Sequence, residues 1–103
     1  MFSRVTLVEI DTVRIGLDEA VQRFTEHVLP GLREQDGYDG VVVLVTPEGK
    51  GMIISLWESE EAATAAAAFA AGELARFMLF FKAPPGREHY EVALADLPAT
   101  TLG

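Results

Sequence analysis

Val41-Val42-Val43-Leu44-Val45, Thr46-Pro47-Glu48-Gly49-Lys50-Gly51 and Met52-Ile53-Ile54-Ser55-Leu56-Trp57 make up most of the stretch from Gly37 to Trp57, whose reading decides the fold. The outer runs are β-branched or apolar and the middle is rich in turn formers, which predicts an antiparallel hairpin. Pro47 suits the first corner of a type I turn, and Gly49 can take the left-handed conformation that a bulged hairpin loop requires. Both strands are apolar at successive positions, whereas a strand buried on one face alternates apolar with polar. Something is therefore expected to cover each face of the hairpin.

Working outward, Arg4-Val5-Thr6-Leu7-Val8-Glu9-Ile10 alternates imperfectly and predicts a first strand, buried on one face and partly buried on the other. Asp11 to Gly16 reads as a loop. Leu17, Val21, Phe24, Val28 and Leu32 then recur at helical spacing, with Asp18 able to cap the start and Glu19 four residues before Arg23 as a favourable ion pair. Pro30 cannot donate to the carbonyl of Glu26, which predicts a bend or a tightened last turn before Gly37 ends the helix.

After the hairpin, Ser59 with Glu60 and Glu61 reads as the capped, acidic start of a second helix. Ala62 to Ala71 is nearly all alanine, a strong helix former with a thin profile. Gly72 is expected to break it, and Leu74, Phe77, Met78 and Phe81 resume the helical spacing between Glu73 and Lys82, with Phe80 beside them. Pro84-Pro85-Gly86 ends that segment. Arg87 to Leu94 predicts a last strand with Tyr90, Val92 and Leu94 on one face, and 96–103 reads as a loose or exchanged tail.

The chain of 103 residues is expected to form one domain, burying roughly 65% of the surface exposed when unfolded. Hydrophobic residues make up 50% of it, and the expected use of that surplus is an interface between copies. Eight basic residues against sixteen acidic ones give a formal charge of −8, which disfavours nucleic acid and anionic membranes as partners. With no cysteine, disulfides, thiolate metal sites and cysteine nucleophiles are excluded. The start, Met1-Phe2-Ser3-Arg4, does not read as a leader, and no apolar run nears the ~20 residues of a membrane span, so a cytoplasmic protein is expected.

The order strand, helix, strand, strand, helix, strand is the split arrangement of an α+β ferredoxin-like fold, a four-stranded antiparallel sheet with both helices on one face. Two helices leave the other face bare, so a homodimer through the sheet is expected, with the second sheet covering it.

At this point the residues resemble a family, the dimeric α+β barrels that include the antibiotic-biosynthesis monooxygenases and the stress-responsive barrel proteins. The resemblance spans nearly the whole chain and rests on Leu29-Pro30-Gly31-Leu32-Arg33 running to Gly37-Tyr38-Asp39-Gly40, and on Leu56-Trp57-Glu58-Ser59-Glu60-Glu61-Ala62. These are turns and caps, specific for fold and silent on chemistry. The resemblance implies a ligand cavity between helices and sheet, used in some relatives to oxidise aromatic polyketides or quinols with oxygen and no cofactor. Haem-degrading relatives use an asparagine in the first strand and a tryptophan and histidine in the second helix. This chain has no asparagine, its single tryptophan ends the third strand, and Arg76 stands where a histidine would be sought.

The expected function is a cofactor-independent monooxygenase acting on an aromatic, quinol-like or polyketide molecule. Alternatives are a non-catalytic dimeric module that binds a small apolar or aromatic ligand, and a lyase or isomerase on the same scaffold. His27, near the edge of the buried stripe, is the candidate general base, against the plainer reading of an exposed helix histidine. Tyr38, Trp57, Phe69, Phe77, Phe80, Phe81 and Met78 are candidates to line an apolar pocket, Arg76 to hold a phenolate or carboxylate, and His89 to touch the ligand. For most of the aromatics, core packing is the simpler account. Two histidines without cysteine or a nearby carboxylate set predict no metal site. Glu58, Glu60 and Glu61 read as caps, Asp36 and Asp39 as turn residues, and Gly49-Lys50-Gly51 as hairpin loop rather than phosphate cradle. Ser55, in an apolar strand without a local histidine, does not read as a nucleophile.

Overall fold

The computed structural model describes residues 1–76, 80–81 and 86–96, without the side chains of Leu74 and of 86–89. Its elements are β1 (Phe2–Glu9), α1 (Leu17–Arg23), a π-helical turn (Phe24–Val28), α2 (Leu29–Arg33), β2 (Tyr38–Val45), β3 (Lys50–Trp57), α3 (Glu60–Ala75) and β4 (Gly86–Glu91). The four strands form one antiparallel sheet in the order β2-β3-β1-β4, the ferredoxin-like arrangement. Expectations that fall on 77–79, 82–85 and 97–103 lie outside the described residues, Phe77, Met78 and most of the tail among them.

The hairpin forms as its sequence demands. Gly49 has φ +96°, its amide donates to Thr46 O at 3.0 Å, and Thr46 N donates to Lys50 O at 2.8 Å. Register pairs Val43 with Ile53 and Val45 with Gly51, and β1 adds Thr6 opposite Ile53 and Val8 opposite Gly51. Because side chains alternate between faces, Val8, Ile53 and Val43 lie under the helices, while Leu7, Val42 and Leu44 point the other way. That second face is bare in the single chain: Val42, Leu44, Leu7 and Tyr90 are 41%, 51%, 47% and 48% exposed.

The helix-covered face holds two apolar clusters. One gathers Val28, Leu32, Trp57, Ala63 and Ala66, and the other Val8, Ile10 and Ile15. Between them runs a polar belt from β1 and β3: Arg4, Thr6 and Ser55 are 4%, 2% and 4% exposed. Ser55 Oγ donates to Arg4 O at 3.4 Å and accepts from Trp57 Nε1 at 2.9 Å. Buried hydroxyls and indoles need such partners, which is why Ser55 is tied to Trp57 and to the backbone of Arg4.

Several expected boundaries move, each for a local reason. Pro30 is accommodated by a widened turn rather than a tightened one: Leu29 N donates to Phe24 O, five residues back. An added residue in the turn relieves the clash between a proline ring and the carbonyl four residues before it. Asp18 is not the cap, because the helix begins one residue earlier, with extended Gly16 at the N-cap and no side-chain cap. The Glu19–Arg23 ion pair forms, at 2.9 Å. Ser59 caps α3 through Ala62 N at 3.1 Å. Gly72 does not break α3, which runs through it to Ala75, since an exposed glycine weakens a helix without blocking its hydrogen bonds. Phe80 is 3₁₀-helical and Phe81 is not helical. Asp11 N donates to Phe80 O at 2.7 Å and Phe81 bridges Ile10, so pairing with the end of β1 takes this segment. The last strand ends at Glu91, leaving Leu94 exposed.

Candidate functional site: an apolar cavity beneath α1

A partly open apolar cavity of about 70 Å³ lies between α1 and the sheet. The sheet contributes Val8, Val43, Val45 and Ile53, the helix contributes Ala20, Val21, Arg23 and Phe24, and Phe80 and Phe81 close one side. Its depth has a specific cause in β3. Gly51 stands in register between Val8 and Val45, and a Cβ there would come within 2.7 Å of Val8 Cγ2. The floor is bare backbone where any other residue would fill it. The walls offer water almost no hydrogen-bond partners, so the space favours an apolar occupant, and because its mouth is open an occupant larger than the cavity can extend into solvent.

Arg23 is the one charged side chain in the described lining. Its Cζ lies 5.2 Å from the centroid of the Phe80 ring, a cation–π contact of about 0.5–1 kcal/mol. The exposed ion pair to Glu19 adds only a few tenths of that scale, about 0.3–0.5 kcal/mol.

Of the residues singled out from sequence, Phe80 and Phe81 line this cavity. Trp57, Tyr38 and Phe69 belong to the other cluster: Trp57 is fully buried and meets Tyr38 edge to face, with centroids 5.7 Å apart. His27 is exposed on the π turn and is not in the lining, and Arg76 is exposed and paired with Glu73 at 3.0 Å. Phe77 lies outside the described residues. The backbone of His89 pairs with Arg4 in β4, and its side chain is outside the description. Arg23, Phe24, Val8, Val43 and Gly51 were not singled out. Phe24 and Val21 were legible as helix-stripe members, but nothing local marks Gly51 as a cavity floor.

A wider cleft of about 400 Å³ lies between the end of α2 and the start of α3, with Asp36, Glu58 and Glu61 on its walls. It is open and acidic. Among the described residues no group of His, Cys, Asp or Glu is arranged to hold a metal ion.

The fold and the cavity define a class: the chain has the ferredoxin-like α+β fold of the antibiotic biosynthesis monooxygenase structures. A monooxygenase from Streptomyces coelicolor, solved in complex with nanaomycin D, is 22% identical with a TM-score of 0.70, over 95% of this chain and 92% of that one. SnoaB, a cofactor-independent oxygenase from Streptomyces nogalater, is 10% identical with a TM-score of 0.71, over 91% and 94%. A protein of unknown function from Nitrosomonas europaea is 21% identical with a TM-score of 0.73, over 96% and 95%. No protein-family model matches the chain, and no curated protein matches it in sequence. Among the described residues no helix is long and apolar enough to cross a membrane.

Proposed function

We propose that the protein is a cofactor-independent monooxygenase, active as a cytoplasmic homodimer, that oxidises a flat aromatic, quinol-like or polyketide molecule held beneath α1. The observation that carries this reading is the apolar-walled cavity, in a fold shared with oxygenases that include one described as cofactor-independent. In such a cavity the substrate supplies the electrons. Loss of an acidic proton leaves an electron-rich anion, and a dry, low-dielectric surrounding favours transfer of its electrons to oxygen over reprotonation. For an anthrone-like methylene the reaction balances as CH2 plus O2 giving C=O plus H2O. His27 is the proposed base. It is exposed on the π turn, three residues from Phe24 and outside the described lining, so it would have to take the proton from a part of the substrate that projects beyond the cavity.

Oxygen uptake by the metal-free protein with anthrone and hydroquinone panels tests the reading, against buffer and heat-denatured controls. Uptake is expected, reduced at least tenfold by Ala20→Phe, which fills the cavity from α1, and by His27→Ala. Full uptake in His27→Ala would remove histidine from the mechanism. The second reading, a non-catalytic binding module, is favoured by one observation, the absence of a general base from the described lining. Ligand retention without uptake would select it.

The homodimer is proposed to form through the bare sheet face, where Leu7 of β1, Val42 and Leu44 of β2 and Tyr90 of β4 are exposed. Light scattering at micromolar concentration should give the mass of two chains, and Leu44→Lys should shift it to one. A wild-type monomer would overturn this assembly.

A further inference from the structure

Three observations converge on Arg23. It donates through both Nε and Nη2 to a single oxygen, Oε1 of Glu19, at 3.3 and 2.9 Å, so Glu19 makes no use of the Nη1 edge of the guanidinium. It packs over Phe80, itself a wall of the cavity. And it ends a helix of 7 residues that contains no buried residue. That helix is bounded on one side by exposed Gly16, with open space around it, and on the other by the π turn, where the α-helical hydrogen-bond pattern is interrupted. α1 is thus held over the cavity by a few half-buried side chains and by the contact of Arg23 with Phe80.

We propose that Arg23 is the specificity-determining residue of the cavity: α1 is its lid, and Arg23 selects a flat aromatic ligand that carries one anionic group at the mouth. The proposal deepens the cavity reading above and rests on it. The apolar walls accept rings but give a carboxylate or phenolate no partner, so an anion is tolerated only where it meets the guanidinium. A planar fork of donors suits a carboxylate in two-point contact, and a ring entering below can take the place of Phe80 against its face. Elsewhere the chain, at −8, repels anions, so a preference for the anionic form reports Arg23 and not the general field. Glu19 competes for the same group. Its exposed pair is weak enough to exchange, with 41% and 54% of the two side chains in solvent.

Calorimetric titration with 1-naphthoate and its neutral isostere 1-naphthamide tests this. Wild-type protein should bind naphthoate about tenfold more tightly than naphthamide, a difference expected of one charge-assisted contact. Arg23→Met, which keeps the aliphatic stem, should lose that preference, bringing the ratio of the two affinities to about one. Glu19→Gln, which retains Arg23, should tighten naphthoate binding about threefold and leave naphthamide unchanged, so the proposal stays testable if Arg23→Met fails to fold. Equal binding of the two ligands by the wild type, or a preference that survives Arg23→Met, overturns the role of Arg23 and leaves the cavity reading standing. Binding of neither ligand by the wild type overturns both.

Discussion

Trp57→Ala is expected to destabilise the protein by about 4 kcal/mol, enough to leave a large unfolded fraction at ambient temperature. The indole is fully buried at the centre of the cluster formed with Val28, Leu32, Ala63 and Ala66, and it joins the end of β3 to α2 and α3. Removing it costs the transfer of a large ring and leaves a cavity between helices whose small alanines cannot collapse to fill it. It also strips Ser55 Oγ of the hydrogen it accepts at 2.9 Å, in a belt screened from water. Trp57→Phe narrows these contributions, because it keeps a six-membered ring and loses the N–H together with the five-membered half of the indole. About 2–3 kcal/mol is expected for that change. Urea unfolding followed by circular dichroism measures both, and a loss below about 1 kcal/mol for Trp57→Ala would show that the cluster is not the centre of the core.

Gly49→Ala is expected to cost about 3 kcal/mol and lower Tm by roughly 15 °C. Two effects add. At φ +96° any side chain is strained, and a Cβ built there collides with the carbonyl oxygen of Ile10. That carbonyl cannot withdraw easily, because Ile10 N donates back to Gly49 O at 2.7 Å and Ile10 also bridges Phe81. The strain therefore spreads from the hairpin loop to the strand end that carries the cavity wall. A thermal scan of Gly49→Ala within about 3 °C of wild type would mean that the loop can re-form in another turn type at little cost.

These two sites differ in how they could be found. Gly49 was legible because turn chemistry is local: Thr46-Pro47-Glu48-Gly49 closes a hydrogen-bonded turn using only its own residues. Ser59 and the Glu19–Arg23 pair are equally local, and the structure contains both. The order of elements followed from the same kind of signal, and with it the sheet topology, since short connections between alternating elements leave few alternatives.

The candidate site was legible only in its aromatic wall, Phe80 and Phe81. Arg23 was read as half of a surface ion pair, which it is, with no sign that its other face covers Phe80. Gly51 was read as part of a turn, whereas its register opposite Val8 and Val45 makes it the floor of a cavity. Arg4 and Ser55 lie in strands that alternate too weakly to mark a buried polar belt.

The amino-acid sequence by itself determined the order of the strands and helical segments, the hairpin turn and the Ser59 cap of α3, because each depends on residues close to one another along the chain. Only the tertiary structure decided which apolar residues are core and which surround a space. Val8, Gly51, Val43, Phe24 and Phe80 come from three strands, a π turn and a return segment, and they meet only when strand register and helix placement are set together. A widened turn at Pro30 shifts every helix side chain before it relative to those after it. No periodicity read along one segment carries that information, because it arises from packing between segments.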